Sequence, residues 1–151
     1  MANGKNGAER TVFQSMSHKH VVSLGPQASA YEAACIMTGS NTTSVLVTET
    51  AKLVGIVTER DLMTRVVAKA RDPQTTKLAE IMTPNPLCVA PEKPVSEAVL
   101  IMLERGFRHL PVVGPADKLL GVFSARDALP REIDSALNLA EFREQVNDAL
   151  G

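Results

Sequence analysis

The chain has 151 residues, 44% of them hydrophobic, with 16 basic against 17 acidic side chains and a formal charge of −1. That length and apolar content suit one globular domain or two small halves sharing a core, and exclude wholesale disorder. The near-neutral balance excludes a global field for nucleic acid or an anionic membrane, so any phosphate recognition has to come from a few local residues.

Residues 1–10, MANGKNGAER, are polar, Gly/Asn-rich and without an apolar h-region, and they read as a flexible tail. The scarcity of acids there would suit a mitochondrial address, but the single arginine and the lack of an amphipathic pattern favour the cytoplasm; no later run is long enough to span a bilayer. Next, His18 and His20 flank Lys19 with no acid or thiol at ligand spacing, so they are expected to be solvated rather than to bind metal.

His20–Ser23 is a short extended segment closed by Gly25-Pro26. A helix follows with Ala30, Ala33, Ala34 and Met37 on one face and Gly39 where it should stop. Ser44–Val47 and Leu53–Val57 form a hairpin, and a second helix starts at Thr58. After the polar connector Val67–Lys77 the same order returns. Leu87–Val89 is extended, a helix carries Ala98, Ile101, Met102 and Leu103 and stops at Gly106, Leu110–Val113 and Leu119–Phe123 form a hairpin, and Ser124 starts a helix that Pro130 ends or redirects. Residues 131–151 form an amphipathic helix with Ile133, Ala136, Leu137, Ala140 and Leu150 at helical spacing and a second ridge at Phe142 and Val146; it either completes the core or meets another subunit. Cys35 and Cys88 lack CxxC or metal-ligand spacing and are expected to be buried core thiols in a reducing compartment.

The recurrence is an internal repeat. Shifting the chain by 66 residues aligns it with itself without a gap, pairing Met16 with Met82, Val47 with Val113, Gly55 with Gly121, Arg60-Asp61 with Arg126-Asp127 and Arg65 with Arg131. A half of about 60 residues buries only about 60% of its surface and is marginal alone, so the halves are expected to stack sheet on sheet.

The most repeated stretch is GIVTERD (55–61) and GVFSARD (121–127). Thr58-x-x-Asp61 and Ser124-x-x-Asp127 each fit a helix capping box, which is a sufficient structural account. They also fit a ligand site, because an ionised carboxylate accepts two hydroxyl hydrogen bonds from a diol while a neighbouring hydroxyl donates to phosphate. Arg60 and Arg126 sit just inside a helix N-terminus, where the dipole disfavours a cation; an anionic partner or a surface ion pair explains them.

KLAEIMTPNP (77–86), GFRHLPVV (106–113) and the two G-h-h-[ST]-x-x-D endings, taken with the repeat, resemble tandem CBS motifs forming a Bateman module over most of the chain. The resemblance implies an α/β (α+β) fold of two β-α-β-β-α motifs packed sheet to sheet with pseudo-two-fold symmetry. Motif 1 would span 11–70, a linker 71–76, motif 2 77–130, and the C-terminal helix would follow. It implies clefts binding AMP, ADP, ATP or S-adenosylmethionine, with Asp61 and Asp127 on ribose and Thr58 and Ser124 on phosphate. Backbone near Ser23 and Val89 would meet adenine, Val45 and Pro111 would wall the base, and Arg108 and His109 would point cations at phosphate where the first motif has Thr42 and Thr43.

One site is thus expected from Ser23, Val45, Thr58, Arg60 and Asp61. The other is expected from Val89, Arg108, His109, Pro111, Ser124, Arg126 and Asp127, more basic and more readily occupied. His109 either strengthens phosphate binding as pH falls or is a hydrogen-bonded surface or hinge histidine.

With no nucleophile elbow, Walker loop, metal cluster or Cys/His pair, no enzyme and no catalytic cofactor are expected. The expected function is a regulatory sensor of an adenosine nucleotide acting on an unknown protein target through a conformational or oligomeric change. Such relatives are commonly homodimers, and no membrane or nucleic-acid partner is expected. The alternative is a ligand-free dimerisation scaffold.

Overall fold

The computed structural model describes residues 9–17 and 19–150; most of the expected tail, His18 and Gly151 lie outside the described residues. The elements run α1 Val12–Ser15, β1 Ser23–Leu24, α2 Ala30–Ser40, β2 Ser44–Glu49, β3 Lys52–Thr58, α3 Glu59–Leu62, α4 Leu78–Ile81, β4 Thr83–Pro84, α5 Val95–Arg105, β5 His109–Val113, β6 Leu119–Ser124 and α6 Pro130–Leu150. A single wide turn, Met63–Val67, extends α3.

Local chemistry sets the boundaries. Ser29 caps α2, its hydroxyl accepting from the Glu32 amide at 3.0 Å while the Glu32 carboxylate accepts from the Ser29 amide at 2.9 Å. The helix runs through Gly39 and ends on Asn41, at φ 52°, because asparagine tolerates the left-handed conformation that closes a helix. In the other half, Gly106 fills that role at φ 76° as expected. Along α5, Val95, Ala98, Val99 and Met102 take the inward positions, which leaves Leu103, expected on the apolar face, exposed.

Two sheets result. In the first, β1 lies parallel to β2, β3 pairs antiparallel with β2, and β4 pairs antiparallel with β3. The second is the β5–β6 hairpin, to which the expected strand Leu87–Val89 contributes one parallel bridge, Val89 to Val112. Val45, Val47 and Val57 join α2 and α4 in one core, whereas Leu46 and Ile56 alternate to the opposite face and are also buried, so the first sheet is covered on both sides.

Each half is completed by chain from the other. β4 lies beside β3 with Gly55 opposite Pro84, and Leu78 and Ile81, both fully buried, belong to the core of the first half. Reciprocally, Val12 and Met16 belong to the core of the second half, and the Val12 and Phe13 amides donate to the Lys93 and Pro91 carbonyls at 2.8 and 3.0 Å. Gly55 is the glycine this crossing requires. A Cβ there would overlap the Met82 Sδ and lie 3.1 Å from the Thr83 carbonyl oxygen.

Pro130 redirects the chain into α6, which an Arg143–Glu104 ion pair of 2.7 Å ties to α5. Its apolar face is less engaged than the spacing implies. Ala136 is buried and Ala140 packs on the core, while Ile133, Leu137, Phe142, Val146 and Leu150 stay exposed, because within one chain α5 offers too narrow a surface to cover them. The base of α6 is fixed instead by Arg10, whose Nη2 and Nε donate to the Glu132 carboxylate at 2.7 and 3.1 Å. Burial alone would raise the Glu132 pKa. The Arg10 and Leu129 hydrogen bonds, with the charges of Arg10 and Arg131, outweigh it and hold the carboxyl below its ordinary value.

Cys35 and Cys88 are free thiols but exposed, not core. Cys35 lies between the inward Ala33 and Met37, on the outer side of α2, and Cys88 alternates with the buried Val89 along extended backbone.

Gly55→Ala is expected to lower stability by roughly 1–3 kcal/mol through overpacking. Gly39→Ala, where an added methyl meets nothing within 4 Å, should raise it by roughly 0.5–1 kcal/mol. Urea unfolding of the two variants checks both signs.

Candidate functional site

Thr58 closes β3 and caps α3. Its amide and hydroxyl donate to Asp61 Oδ2 at 2.8 and 3.1 Å, and the Asp61 amide returns a 3.3 Å bond to the hydroxyl. At the end of β6, the Ser124 amide donates to Asp127 Oδ2 at 2.9 Å and the Ser124 hydroxyl accepts from the Arg126 amide at 3.4 Å. Both capping boxes therefore form, and each uses Oδ2, leaving Oδ1 of each carboxylate for something else.

Each carboxylate stands at a cleft between the halves. A cavity of about 180 Å³ is lined by Thr58, Arg60 and Asp61 from the first half and by Thr83, Leu87, Phe107, Arg108 and His109 from the second. A cavity of about 370 Å³ is lined by Ser124, Arg126 and Asp127 from the second half and by His20, Val22, Asn41, Thr42 and Thr43 from the first, with Ser17 from the leading segment. The linings correspond under the repeat: Thr58 to Ser124, Arg60 to Arg126, Thr83 to Ser17, Phe107 to Asn41 and Arg108 to Thr42.

This grouping differs from the expected one. Thr58, Arg60 and Asp61 stay together but meet Arg108 of the other motif, while Ser124, Arg126 and Asp127 meet Thr42 and Thr43. The more basic cleft is thus the one at Asp61, with Arg60 and Arg108. The pseudo-two-fold apposes the end of each hairpin to the opposite motif, so residues close in sequence fall into different clefts. Four expected residues line neither cavity. Val45 and Pro111 are fully buried in their strands, Val89 is buried on its bridge to Val112, and Ser23 is tied into β1 opposite Leu46. Ser17, Thr83, Ile56, Val122 and Phe107 line the clefts without having been singled out; applying the 66-residue shift across the halves, rather than within one, is the signal that finds them.

His109 lines both cavities, and its Nε2 lies 2.7 Å from the Thr43 hydroxyl, its own repeat counterpart 66 residues away. Two equivalent positions can touch only near the pseudo-two-fold axis, so this pair marks the axis and forms the wall between the clefts. Burial pushes the His109 imidazole below its ordinary pKa; Glu59 and Asp61 pull upward, and Arg126 and Arg108 pull downward. Of the readings given for His109, its partly buried, hydrogen-bonded place between the halves matches the hinge histidine. Among the described residues, no cluster of three or more His, Cys, Asp or Glu could hold a metal ion, and no helix is long and apolar enough to cross a membrane.

The CBS domain family matches residues 13–68 and 78–132, so the chain belongs to that family and carries two CBS domains in tandem. Uncharacterized protein MK0525 of Methanopyrus kandleri is 33% identical over 118 residues, covering 78% of this chain and 60% of that protein. Meiotically up-regulated gene 70 protein of Schizosaccharomyces pombe is 30% identical over 97% of this chain, which spans only 21% of that protein. The chain thus covers three-fifths or less of these two relatives. Among solved structures, a putative signal-transduction protein with CBS domains from Burkholderia ambifaria superposes with a TM-score of 0.71 at 30% identity, over 77% of this chain and 86% of that one. CBS domain protein PAE2072 from Pyrobaculum aerophilum, complexed with AMP, superposes with a TM-score of 0.72 at 28% identity, over 87% and 98%.

A histidine whose folded-state pKa is depressed binds its proton more readily when unfolded. Its contribution to stability is therefore whole above the unfolded value of about 6.5 and is lost as pH falls below it. Unfolding free energies from pH 8 to pH 5 should show His109→Gln diverging from the parent only below about pH 6.5, with the parent losing more stability on acidification.

Proposed function

We propose that the chain is a regulatory module that binds an adenosine nucleotide in the clefts at Asp61 and Asp127, and passes the signal to a protein partner through a change of shape or assembly. The observation that carries this reading is the reciprocal lining. Two pseudo-equivalent clefts each combine a carboxylate whose Oδ1 is not used by its own cap, a neighbouring hydroxyl and at least one guanidinium. A ribose diol donates to the first, and phosphate accepts from the other two. AMP bound to PAE2072, a protein of the same fold, supports the ligand class.

The ligand set is AMP, ADP, ATP or S-adenosylmethionine, with the Asp61 cleft better suited to phosphate. No catalytic role is proposed for any residue. The apolar residues left exposed on α6, with Tyr31, Met63 and Val67 on the helices of the first half, are the surfaces we assign to a homodimer or a protein target in the cytoplasm. A ligand-free scaffold is the competing reading, favoured by the exposed apolar helices.

Isothermal titration of the full chain with the four ligands separates the two. Binding of at least one, weakened about tenfold by Asp61→Asn, is expected; asparagine keeps an oxygen for the Thr58 amide, so the loss reports the ligand rather than the cap. Arg108→Gln should weaken AMP about tenfold and adenosine less than about twofold. No heat with any ligand at millimolar concentration overturns the sensor in favour of the scaffold.

A further inference from the structure

The two clefts share a frame, but their carboxylates are not equally free. At Asp127, the Oδ1 left over by the cap is already taken: the Ser17 hydroxyl donates to it at 2.6 Å and the Ser17 amide at 3.3 Å. This is the interaction that a ribose hydroxyl would make with the same oxygen. At Asp61, the counterpart hydroxyl, that of Thr83, makes no hydrogen bond to the carboxylate among the described residues; Asp61 Oδ1 has only the Arg65 guanidinium, at 3.7 Å.

The difference follows from how each segment arrives. Thr83 lies in β4, where pairing with Ile56 fixes its backbone along the first sheet. Ser17 follows α1 and belongs to no strand. Its approach to Asp127 is set by the anchored residues before it: Arg10, held by Glu132 and by the Asp127 carbonyl at 3.0 Å, and the buried Val12 and Met16. The arm is thus fixed to the same half as Asp127, and it presents its hydroxyl at the mouth of a cleft that Ser17 itself lines.

We propose that Ser17 is a specificity-determining residue that sets the order in which the clefts fill, by acting as a resident hydroxyl on Asp127. The proposal rests on the nucleotide reading above. A nucleotide enters the Asp61 cleft against an open carboxylate oxygen. To enter the Asp127 cleft, it must first displace Ser17. The basic side chains act in the same direction, since Arg108 faces Asp61 and the uncharged Thr42 faces Asp127. The two causes are therefore separated by changing Ser17 alone.

Methyl NMR of the full chain distinguishes the clefts, because Ile56 lines only the Asp61 cavity and Val122 only the Asp127 cavity. On titration with AMP, the Ile56 methyl should shift at a midpoint about tenfold or more below that of Val122. Ser17→Ala should bring the Val122 midpoint down about tenfold and leave Ile56 within about twofold, the size expected for one hydrogen bond to a charged group. Ser17→Thr, which keeps the hydroxyl, should retain the parental order. Equal midpoints in the parent, or a Val122 midpoint unmoved by Ser17→Ala, overturns the role of Ser17 while leaving nucleotide binding intact. If neither methyl responds to AMP, ADP, ATP or S-adenosylmethionine, the nucleotide reading itself fails and takes this inference with it.

Discussion

The structure depends on one crossing of backbone over backbone. Met82 and Thr83 leave the second half and lie across Gly55 in the first, while the segment from Arg10 to Met16 packs into the second half, its Val12 and Phe13 amides bonded to the Lys93 and Pro91 carbonyls. Neither half has a complete core of its own: remove Leu78 and Ile81 and the first loses two fully buried side chains, remove Val12 and Met16 and the second does. For units this small, sharing a core decides whether there is a stable fold at all. The crossing also furnishes the clefts, since it carries Thr83 toward Asp61 and Ser17 toward Asp127. Stability and the geometry of the clefts are thus properties of the same chain path.

What could be read from the sequence was whatever is local. Alternating apolar residues located both hairpins, and the Thr58-x-x-Asp61 and Ser124-x-x-Asp127 spacings gave the two caps. The repeat fixed the existence of two equivalent units, and the CBS resemblance fixed their packing. The grouping of site residues was not local. Asp61 and Arg108 share a cleft because a symmetry axis runs between the halves, and within one repeat nothing marks where that axis lies. The Thr43–His109 contact marks it after the fact. Val45 and Pro111 were misplaced for a related reason: a strand residue faces either the cleft or the core, and near the end of a fully buried strand composition does not say which.

Helical periodicity had a similar blind spot. The spacing of Ile133, Leu137, Phe142 and Val146 describes an apolar face correctly, but burial needs an opposing surface, and the chain alone supplies only enough for Ala136 and Ala140. Gly39 and Asn41 make the complementary point at the end of α2. Glycine is the commoner stop, yet a helix ends where its last carbonyls find donors, and the Asn41 amide provides one to Met37 and Thr38.

Duplication copies a frame, and divergence then acts on it position by position. Gly55 and Gly121, Met82 and Met16, and the cap residues Asp61 and Asp127 keep their types across the repeat. Among the cleft linings Arg60 and Arg126 are likewise retained, whereas Arg108 stands against Thr42, Phe107 against Asn41, and Thr83 against Ser17. The frame repeats while the linings differ, and the Thr43–His109 pair stands between two cavities of about 370 and 180 Å³. His109 belongs to both linings, so the two cavities share one side chain where the repeats meet across the pseudo-two-fold axis.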